Sequence, residues 1–209
     1  FPEVKIADSN KRPAKQNIVF LAVHPPVIMD TLREISSVLD GSSIVVSLAP
    51  KITIDKIGGQ ISSQKIIRMI PNATSFINNG YNPVSFSDYL SPDDKKSLTK
   101  LFRTMGKTIE VDEKELEAYA IVSAMLPTYF WFQWKKMEDI AMKTGLKEDE
   151  SRKIIRDTLT RAIELYYESG LSSDEVIDLI PVKPIGEHET EIEDILDTKL
   201  LELYEKIKP

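Results

Sequence analysis

Short apolar runs separated by amphipathic segments dominate the first half of the chain. Residues 18–23 form an apolar run that stops at His24-Pro25-Pro26, which is typical of a buried strand covered by helices on both faces. Residues 27–39 repeat apolar side chains at helical spacing, and 43–50 form a second apolar run that ends at a proline. With a third run over 65–72, this alternation predicts an α/β fold with right-handed crossovers.

The second half of the chain is patterned as helices. Residues 91–94 read Ser-Pro-Asp-Asp, which combines a capping residue, a proline at the first helical position and acids in the first turn. A last short strand is predicted over 107–111. We therefore divide the chain into an α/β domain over 1–112 and an all-helical domain over 113–209. Candidate helices of the second domain span 113–126, 127–144, 147–169, 172–180 and 191–207.

One helical segment, residues 120–134, is apolar nearly all round and carries both tryptophans of the chain. Such a helix must be covered on every side, either as a plain core helix or between subunits. The pattern does not favour a membrane anchor, because Pro127 interrupts the segment and Lys135 ends it too soon.

Several blocks of sequence occur in an order and at separations that are specific to one protein family. Residues 17–26 look like D-V-V-F-L-A-V-K-P-Q, residues 39–53 look like L-D-G…V-I-S-L-A-A-G-I-T, and residues 68–74 look like R-V-M-P-N-T-P. Further on, 101–112 is similar to L-F-x-x-x-G-x-x-x-x-V-D, and 123–129 takes the place of S-G-S-G-P-A-Y. The chain thereby resembles the pyrroline-5-carboxylate reductases, which are nicotinamide-dependent dehydrogenases with an all-helical C-terminal domain.

The resemblance implies an α/β Rossmann-like domain, present in part over 1–112, followed by an all-α dimerisation domain over 113–209. It also implies an oxidoreductase of proline biosynthesis that uses NADP or NAD and passes a hydride to a C=N or C=O carbon of a small-molecule substrate. The helical domains of two chains are expected to interleave in a homodimer, with the 120–134 helix packed inside.

The opening element of the family is not found in this sequence. Related proteins begin with a strand followed by G-x-G-x-x-G, whose glycines let a pyrophosphate approach the backbone. The pair Gly58-Gly59 is interpreted instead as the stop of a short helix within 52–61. We expect roughly 50 residues, with the first strand-helix-strand unit, to precede Phe1 in the native polypeptide.

The first residues of the chain allow two alignments. In the preferred one, residues 1–10 resemble the strand just before the 17–26 block, because the spacing leaves no room for a further helix and strand. In the competing one, residues 4–8 are the second strand of the family fold. That alignment would place Asp8, Ser9, Asn10 and Arg12 beside a cofactor ribose or 2′-phosphate.

Positions that match the motifs of the family are the candidate site residues. Ser123 and Thr128 are the catalytic candidates, and Thr128 has the alternative role of a first-turn helix residue. His24 stands where the family has lysine, and it is expected either to donate a proton or a hydrogen bond near the nicotinamide or to be an exposed loop histidine. Asn72 holds either cofactor or substrate, or a structural turn. The cofactor-binding candidates are Ala22, Val23, His24, Pro25, Ala49 and Asn72.

Two departures from the family concern the substrate. Ala124, Met125 and Leu126 replace the two glycines and second serine of S-G-S-G-P, so side chains shield backbone amides that a carboxylate would approach. Residues 180–186 lack both threonines of the later S-P-G-G-T-T motif. The native substrate is therefore expected to be altered, and a reductase for a larger apolar substrate is one form of this. The alternative is a non-catalytic dimeric nucleotide-binding or scaffold homologue.

Composition narrows the function further. The 209 residues are 42% hydrophobic and carry a net charge of −6, with no cluster of basic residues interleaved with aromatics that would indicate nucleic-acid binding. The absence of cysteine excludes disulfides and thiolate metal sites. His188 lies among glutamates, but no second histidine stands at ligand spacing, so no metal site is predicted. Without an apolar run of membrane length, the cytoplasm is the expected location.

Overall fold

The computed structural model describes residues 3–209, so Phe1 and Pro2 lie outside the described residues. The chain forms two compact units. The sheet unit contains the residues up to Leu126 together with Leu200–Pro209, and the helical unit contains Pro127–Lys199. The division into a 1–112 and a 113–209 domain stays a prediction.

The sheet unit is built on a five-stranded sheet with the strand order β1-β2-β3-β4-β5. The first three strands are parallel to one another, β4 runs antiparallel to β3, and β5 is parallel to β4. This confirms the α/β fold. The strands are Ile18–Leu21 (β1), Ile44–Ser47 (β2), Ile66–Met69 (β3), Gly80–Phe86 (β4) and Gly106–Glu110 (β5).

Helices follow the strands and fill the second half of the chain. Short 3₁₀ segments stand between them, and a π-helical turn over Ala120–Ala124 separates α4 from α5. The first helix ends at Ile35, so the predicted end at residue 39 was wrong. The helices are Pro25–Ile35 (α1), Ile54–Gly58 (α2), Pro92–Phe102 (α3), Leu116–Tyr119 (α4), Leu126–Lys143 (α5), Glu148–Glu168 (α6), Ser173–Ile177 (α7) and Glu189–Ile207 (α8).

The core of the sheet unit lies on both faces of the sheet. Val45 and Ile66 pack with α1 on one face, whereas their neighbours Val46 and Ile67 pack with α3 on the other. Successive strand residues point to opposite faces. A strand buried on both sides therefore needs apolar residues at every position, which is why the runs of β1 to β3 were readable in the sequence.

Strand β4 was missed by the sequence analysis. Its sequence contains Gly80, Asn82 and Pro83, which are poor strand formers. The strand forms because it lies between β3 and β5, and the carbonyl of Pro83 accepts the N–H of Ile70 at 3.1 Å. Gly106 has φ of 129°, and a Cβ there would clash with the Gly80 backbone, so the close approach of β4 and β5 requires this glycine.

The N-terminal segment differs from both proposed alignments. No strand occurs within the described residues 3–15, so neither the strand expected over 1–10 nor the competing strand over 4–8 is present in that part of the chain. Ser9 and Asn10 instead donate side-chain hydrogen bonds to the carboxylate of Glu34 in α1, at 3.4 and 2.8 Å.

Candidate functional site

The carboxyl ends of β1, β2 and β3 lie side by side. Leu21 pairs with Ser47, and Ser47 pairs with Arg68, so the residues that follow these strands occupy one edge of the sheet. The predicted cofactor-binding residues all follow one of the three strands. The structure therefore brings them to a common edge, where ligands of open α/β sheets bind. These residues are Ala22, Val23, His24 and Pro25 after β1, Ala49 after β2, and Asn72 after β3.

The start of α1 is unusually poor in hydrogen-bond donors. His24 is the N-cap residue, with φ of −62° and ψ of 144°, and its exposed side chain makes no capping hydrogen bond. Pro25 and Pro26 have no N–H, and the N–H of Val27 donates to the His24 carbonyl at 3.0 Å. The first turn of this helix therefore offers no free amide to an anion, so a phosphate is not held here in the usual way.

Asn72 organises the end of β3. Its Oδ1 accepts the N–H of Thr74 at 2.7 Å, and its Nδ2 donates to the carbonyl of Ser123 at 2.9 Å. Its own N–H donates to Oδ1 of Asn82 at 3.0 Å. Asn72 thus has the structural turn role, and its side chain also fixes Ser123 beside the sheet edge. The Ser123 bond uses one of the two Nδ2 hydrogens, and a contact with cofactor stays a prediction.

Ser123 is held in place because of Pro127. In a regular helix the N–H of residue 127 would donate to the carbonyl of residue 123, but proline has no N–H. That carbonyl is therefore available to Asn72, and the buried Ser123 hydroxyl donates to the carbonyl of Tyr81 at 3.2 Å. Thr128 is exposed in the first turn of α5 and belongs to the helical unit.

The replaced substrate motif begins at the π-helical turn. The N–H of Met125 donates to the carbonyl of Ala120 at 3.0 Å, which is the widened hydrogen bond of that turn. Ala124 and Met125 pack against an apolar cluster that contains Ile70. Leu126 is 42% exposed. An apolar surface therefore stands where the family has glycine and serine.

A buried ionic cluster, not anticipated from the sequence, lies behind this edge. Arg68 is fully buried, and its guanidinium bonds to Glu113 at 3.1 Å and to the buried Glu117. The two carboxylates also accept backbone N–H groups: Glu117 from Lys51 at 2.9 Å, and Glu113 from Ile54 at 2.7 Å. One signal of the cluster was available in the sequence, since Arg68 is a charged residue in the middle of an apolar strand.

Lys51 has a strained backbone. Its φ is 75°, a left-handed conformation that residues with a Cβ rarely adopt. The corresponding position in the L-A-A-G-I-T block of the family is glycine. Its side chain makes a further contact, because Nζ donates to the carbonyl of Lys206 near the end of α8, at 3.2 Å.

One cavity of the sheet unit lies away from these residues. It has a volume of about 610 Å³ and shares no residue with the sequence-predicted site.

Among the described residues, no group of three histidine or carboxylate side chains is arranged to hold a metal. His188 lies 3.7 Å from Glu187 and 3.4 Å from Glu191, and all three side chains are exposed. No helix in the described part of the chain is long and apolar enough to cross a membrane.

The chain was compared with known sequences and structures. No protein-family model matches the chain. Pyrroline-5-carboxylate reductase of Escherichia coli strain K12 is 27% identical over 165 residues, which cover 78% of this chain and 61% of the relative. The chain therefore spans about three fifths of the length of this curated relative.

Two solved structures share the fold. Plasmodium falciparum pyrroline carboxylate reductase, solved with NADP bound, superposes with a TM-score of 0.83 at 23% identity and covers 100% of this chain and 87% of its own. The Streptococcus pyogenes 1-pyrroline-5-carboxylate reductase gives a TM-score of 0.76 at 16% identity, covering 97% of this chain and 80% of its own. In its sequence blocks and in its fold, the chain is similar to these pyrroline-5-carboxylate reductases.

Proposed function

We propose that the protein is an NAD(P)-dependent reductase that transfers a hydride to a C=N or C=O carbon of a small molecule. The observation that carries this proposal is the convergence of Ala22–Pro25, Ala49 and Asn72 at one edge of the sheet. The related Plasmodium falciparum protein, which has the same fold, was solved with NADP bound. Bound nicotinamide would supply the hydride, so the protein itself must bind, orient and exclude water.

The residues at the sheet edge fit the nicotinamide end of such a cofactor. Ala22 and Ala49 are short and Val23 is apolar, so a flat ring can approach the ends of the strands. Asn72 has an amide hydrogen beyond the one that it gives to Ser123. The pyrophosphate does not fit the start of α1, where Pro25 and Pro26 have no N–H, and it must be held by other groups.

In this proposal, Ser123 orients the substrate. The buried Ser123 is fixed by two hydrogen bonds, so it presents a constant surface to a bound molecule. The exposed imidazole of His24 lies at the same sheet edge as Ala22 and supplies the proton.

The substrate is proposed to differ from pyrroline-5-carboxylate. Met125 and Leu126 remove the small residues that would expose backbone amides to a carboxylate, and Leu126 presents an apolar surface. A larger and less polar carbonyl or imine fits this surface better. The same replacement favours a second candidate function, in which the protein binds nucleotide without turnover as a dimeric scaffold.

The helical unit is proposed to be completed by a second copy of the chain. Trp131 is 46% exposed, Phe132 is 68% exposed and Tyr167 is 78% exposed, although apolar faces of this size are normally covered. Within the 120–134 segment, Ala120, Ile121 and Ser123 are buried, whereas α5 buries none of its residues. A homodimer that covers these side chains would bury an interface of about 2,000 Å² or more.

The test measures nucleotide binding and turnover by the native full-length protein. NADPH and NADH are titrated by fluorescence, and their oxidation is followed with a panel of cyclic imines, ketones and aldehydes of increasing size. Binding with turnover supports the reductase, and binding without turnover over the whole panel supports the scaffold. The absence of binding at millimolar nucleotide would contradict both.

A further inference from the structure

We propose that Glu117 and Glu113 are positioning residues that hold the loop between β2 and α2, residues 48–53, in the geometry required at the sheet edge. Buried Arg68 makes this possible by compensating both carboxylates. The kinetic part of this inference rests on the proposed function, whereas its structural part does not.

The two carboxylates bind one amide inside this loop and the first amide of the helix that follows it. Glu117 accepts the N–H of Lys51 at 2.9 Å, and Glu113 accepts the N–H of Ile54, the first residue of α2, at 2.7 Å. Ala49, a candidate cofactor-binding residue, is two positions before Lys51 in the sequence. A loop that moved at Lys51 would therefore shift Ala49 relative to the ends of β1 and β3.

The bond to Lys51 is needed because the backbone there is strained. Its φ of 75° lies in the left-handed region, which is unfavourable for any residue with a Cβ. A residue keeps a strained backbone conformation only where the surrounding groups hold it there, and such residues are concentrated at functional sites. A hydrogen bond to a buried carboxylate is one of the stronger neutral-to-charged bonds available, so Glu117 opposes the relaxation of Lys51.

Arg68 connects this loop to the neighbouring strand. Its guanidinium reaches from β3 to both carboxylates, and β3 leads directly to Asn72. One side chain thus ties the loop after β2, the end of β3 and the start of α4 together. Without the guanidinium, the carboxylate of Glu117 would be buried without charge compensation.

The first experiment measures hydrogen exchange at single amides. In Glu117→Leu the acceptor is lost, so the Lys51 amide should exchange about tenfold faster or more, while the Ile54 amide changes little. Glu113→Ala should give the reciprocal result. Glu117→Gln keeps an oxygen acceptor and should restore much of the protection at Lys51.

The control is Asp94→Asn, which removes the charge that pairs with Lys65 in the same sheet unit without touching either amide. Unchanged exchange at Lys51 in Glu117→Leu would overturn the proposal, and so would equal acceleration in Asp94→Asn. If Glu117→Leu does not fold, the pair Glu117→Gln and Glu113→Ala decides: Glu113→Ala must release Ile54 selectively, since Glu113 is only partly buried.

The second experiment measures nucleotide affinity, KM and kcat. A positioning role predicts that Glu117→Leu raises the Kd and KM for nucleotide about tenfold and that Glu117→Gln recovers most of this loss. If Glu117 only stabilises the fold, the folded fraction of Glu117→Leu will have the Kd, KM and kcat of the parent protein. That result would overturn the kinetic claim. If the parent protein binds no nucleotide, the proposed function fails while the exchange experiment still tests the positioning of the loop.

Discussion

The sheet unit and the helical unit use apolar side chains in opposite ways. In the sheet unit, Ile28, Val45 and Phe102 are fully buried by their own chain. Within residues 127–199 no apolar side chain is buried, and Phe132 and Tyr167 are largely exposed. The sheet unit therefore completes its core within one chain, whereas the helical unit leaves large apolar side chains exposed.

The difference follows from geometry. Strands β2 and β3 are sandwiched between α1 on one face and α3 on the other, so local neighbours cover every apolar position. In the helical unit, Gly145 and Gly170 adopt positive φ angles of 100° and 80° and end the long helices α5 and α6. Long helices that are apolar on several sides cannot all be covered by the few helices of one such unit.

The largest expected effect compares a buried arginine with an exposed one. Arg68→Met removes the partner of two carboxylates in the sheet unit and should lower the free energy of unfolding by about 3 to 5 kcal/mol. Arg152→Met breaks the bonds to Glu138 and Glu148 in the helical unit and should cost less than about 1 kcal/mol, because those pairs are exposed. Urea denaturation measures both, and equal losses would remove the distinction between the units.

The next effect concerns apolar side chains. Phe102→Ala should cost about 3 to 5 kcal/mol of unfolding free energy at any protein concentration. Trp131→Ala with Phe132→Ala should instead weaken dimerisation, by about 2 kcal/mol or more for an aromatic hot spot. Sedimentation velocity across a dilution series checks this. A stable monomer of the parent protein at micromolar concentration would contradict the dimer itself.

The replaced motif over 124–126 is proposed to decide which substrate is accepted. Each lost hydrogen bond to a charged anchor costs about 1.5 to 3 kcal/mol, so pyrroline-5-carboxylate should be reduced poorly or not at all. Met125→Ser with Leu126→Gly should raise the catalytic efficiency about ten- to a hundredfold. Val122→Ser, an exposed neighbour, is the control. An efficiency above about 10⁴ per molar per second in the parent protein would show that the replaced motif still accepts this substrate.

A smaller effect is expected at two positions with positive φ. Lys51→Gly in the sheet unit should stabilise the fold by about 1 kcal/mol, since glycine adopts this conformation without a Cβ clash. Gly145→Ala in the helical unit should destabilise it by about the same amount. Lys51→Ala keeps the strain but loses the bond to Lys206, so thermal unfolding of the three variants separates backbone strain from side-chain contact. If Lys51→Gly lowered the thermal unfolding temperature more than Lys51→Ala did, the inference of a strained backbone at Lys51 would be refuted.

The smallest effect is the titration of two capping carboxylates, one in each unit. A hydrogen bond from Lys65, followed by those from Ser91, lowers the pKa of Asp94, and hydrogen bonds from Ser172 lower the pKa of Glu175. A lowered pKa stabilises the fold above the unfolded pKa, and this contribution is lost as pH falls through the folded pKa. Carboxyl NMR should show both pKa values below their ordinary range, with that of Glu175 rising in Ser172→Ala. An unchanged pKa of Glu175 in that variant would refute the contribution of the Ser172 hydroxyl, since the backbone N–H of residue 172 remains.

Local signals made part of the fold readable from the sequence. The apolar runs of β2 and β3 are local because both faces of each strand are covered by the helices α1 and α3. The capping boxes at Ser91 and Ser172 were readable because each cap is completed three residues later in the chain. Gly58-Gly59 also ends a helix as expected, with Gly59 as the C-cap of α2.

The sheet edge was partly predictable as well. Ala22, Ala49 and Asn72 were placed at one edge because parallel neighbouring strands bring their carboxyl ends together. The hydrogen bond from Asn72 to Ser123 was not readable, because 51 positions separate the two residues. Pro127 offered a clue only in retrospect, since a missing N–H shows which carbonyl is free but not which group will take it.

The sequence by itself determined the α/β class, the three parallel strands, the helix caps and the resemblance to pyrroline-5-carboxylate reductases, because each depends on residues close together along the chain or on ordered blocks. Only the tertiary structure decided that residues 80–86 form a strand, that Lys51 takes a left-handed conformation and that Arg68 meets Glu113 and Glu117. The stabilising hydrogen bonds come from residues 45 or more positions away for Arg68 and from a residue 66 positions away for Lys51. Local propensity opposes each of these choices, and contacts across the folded chain outweigh it.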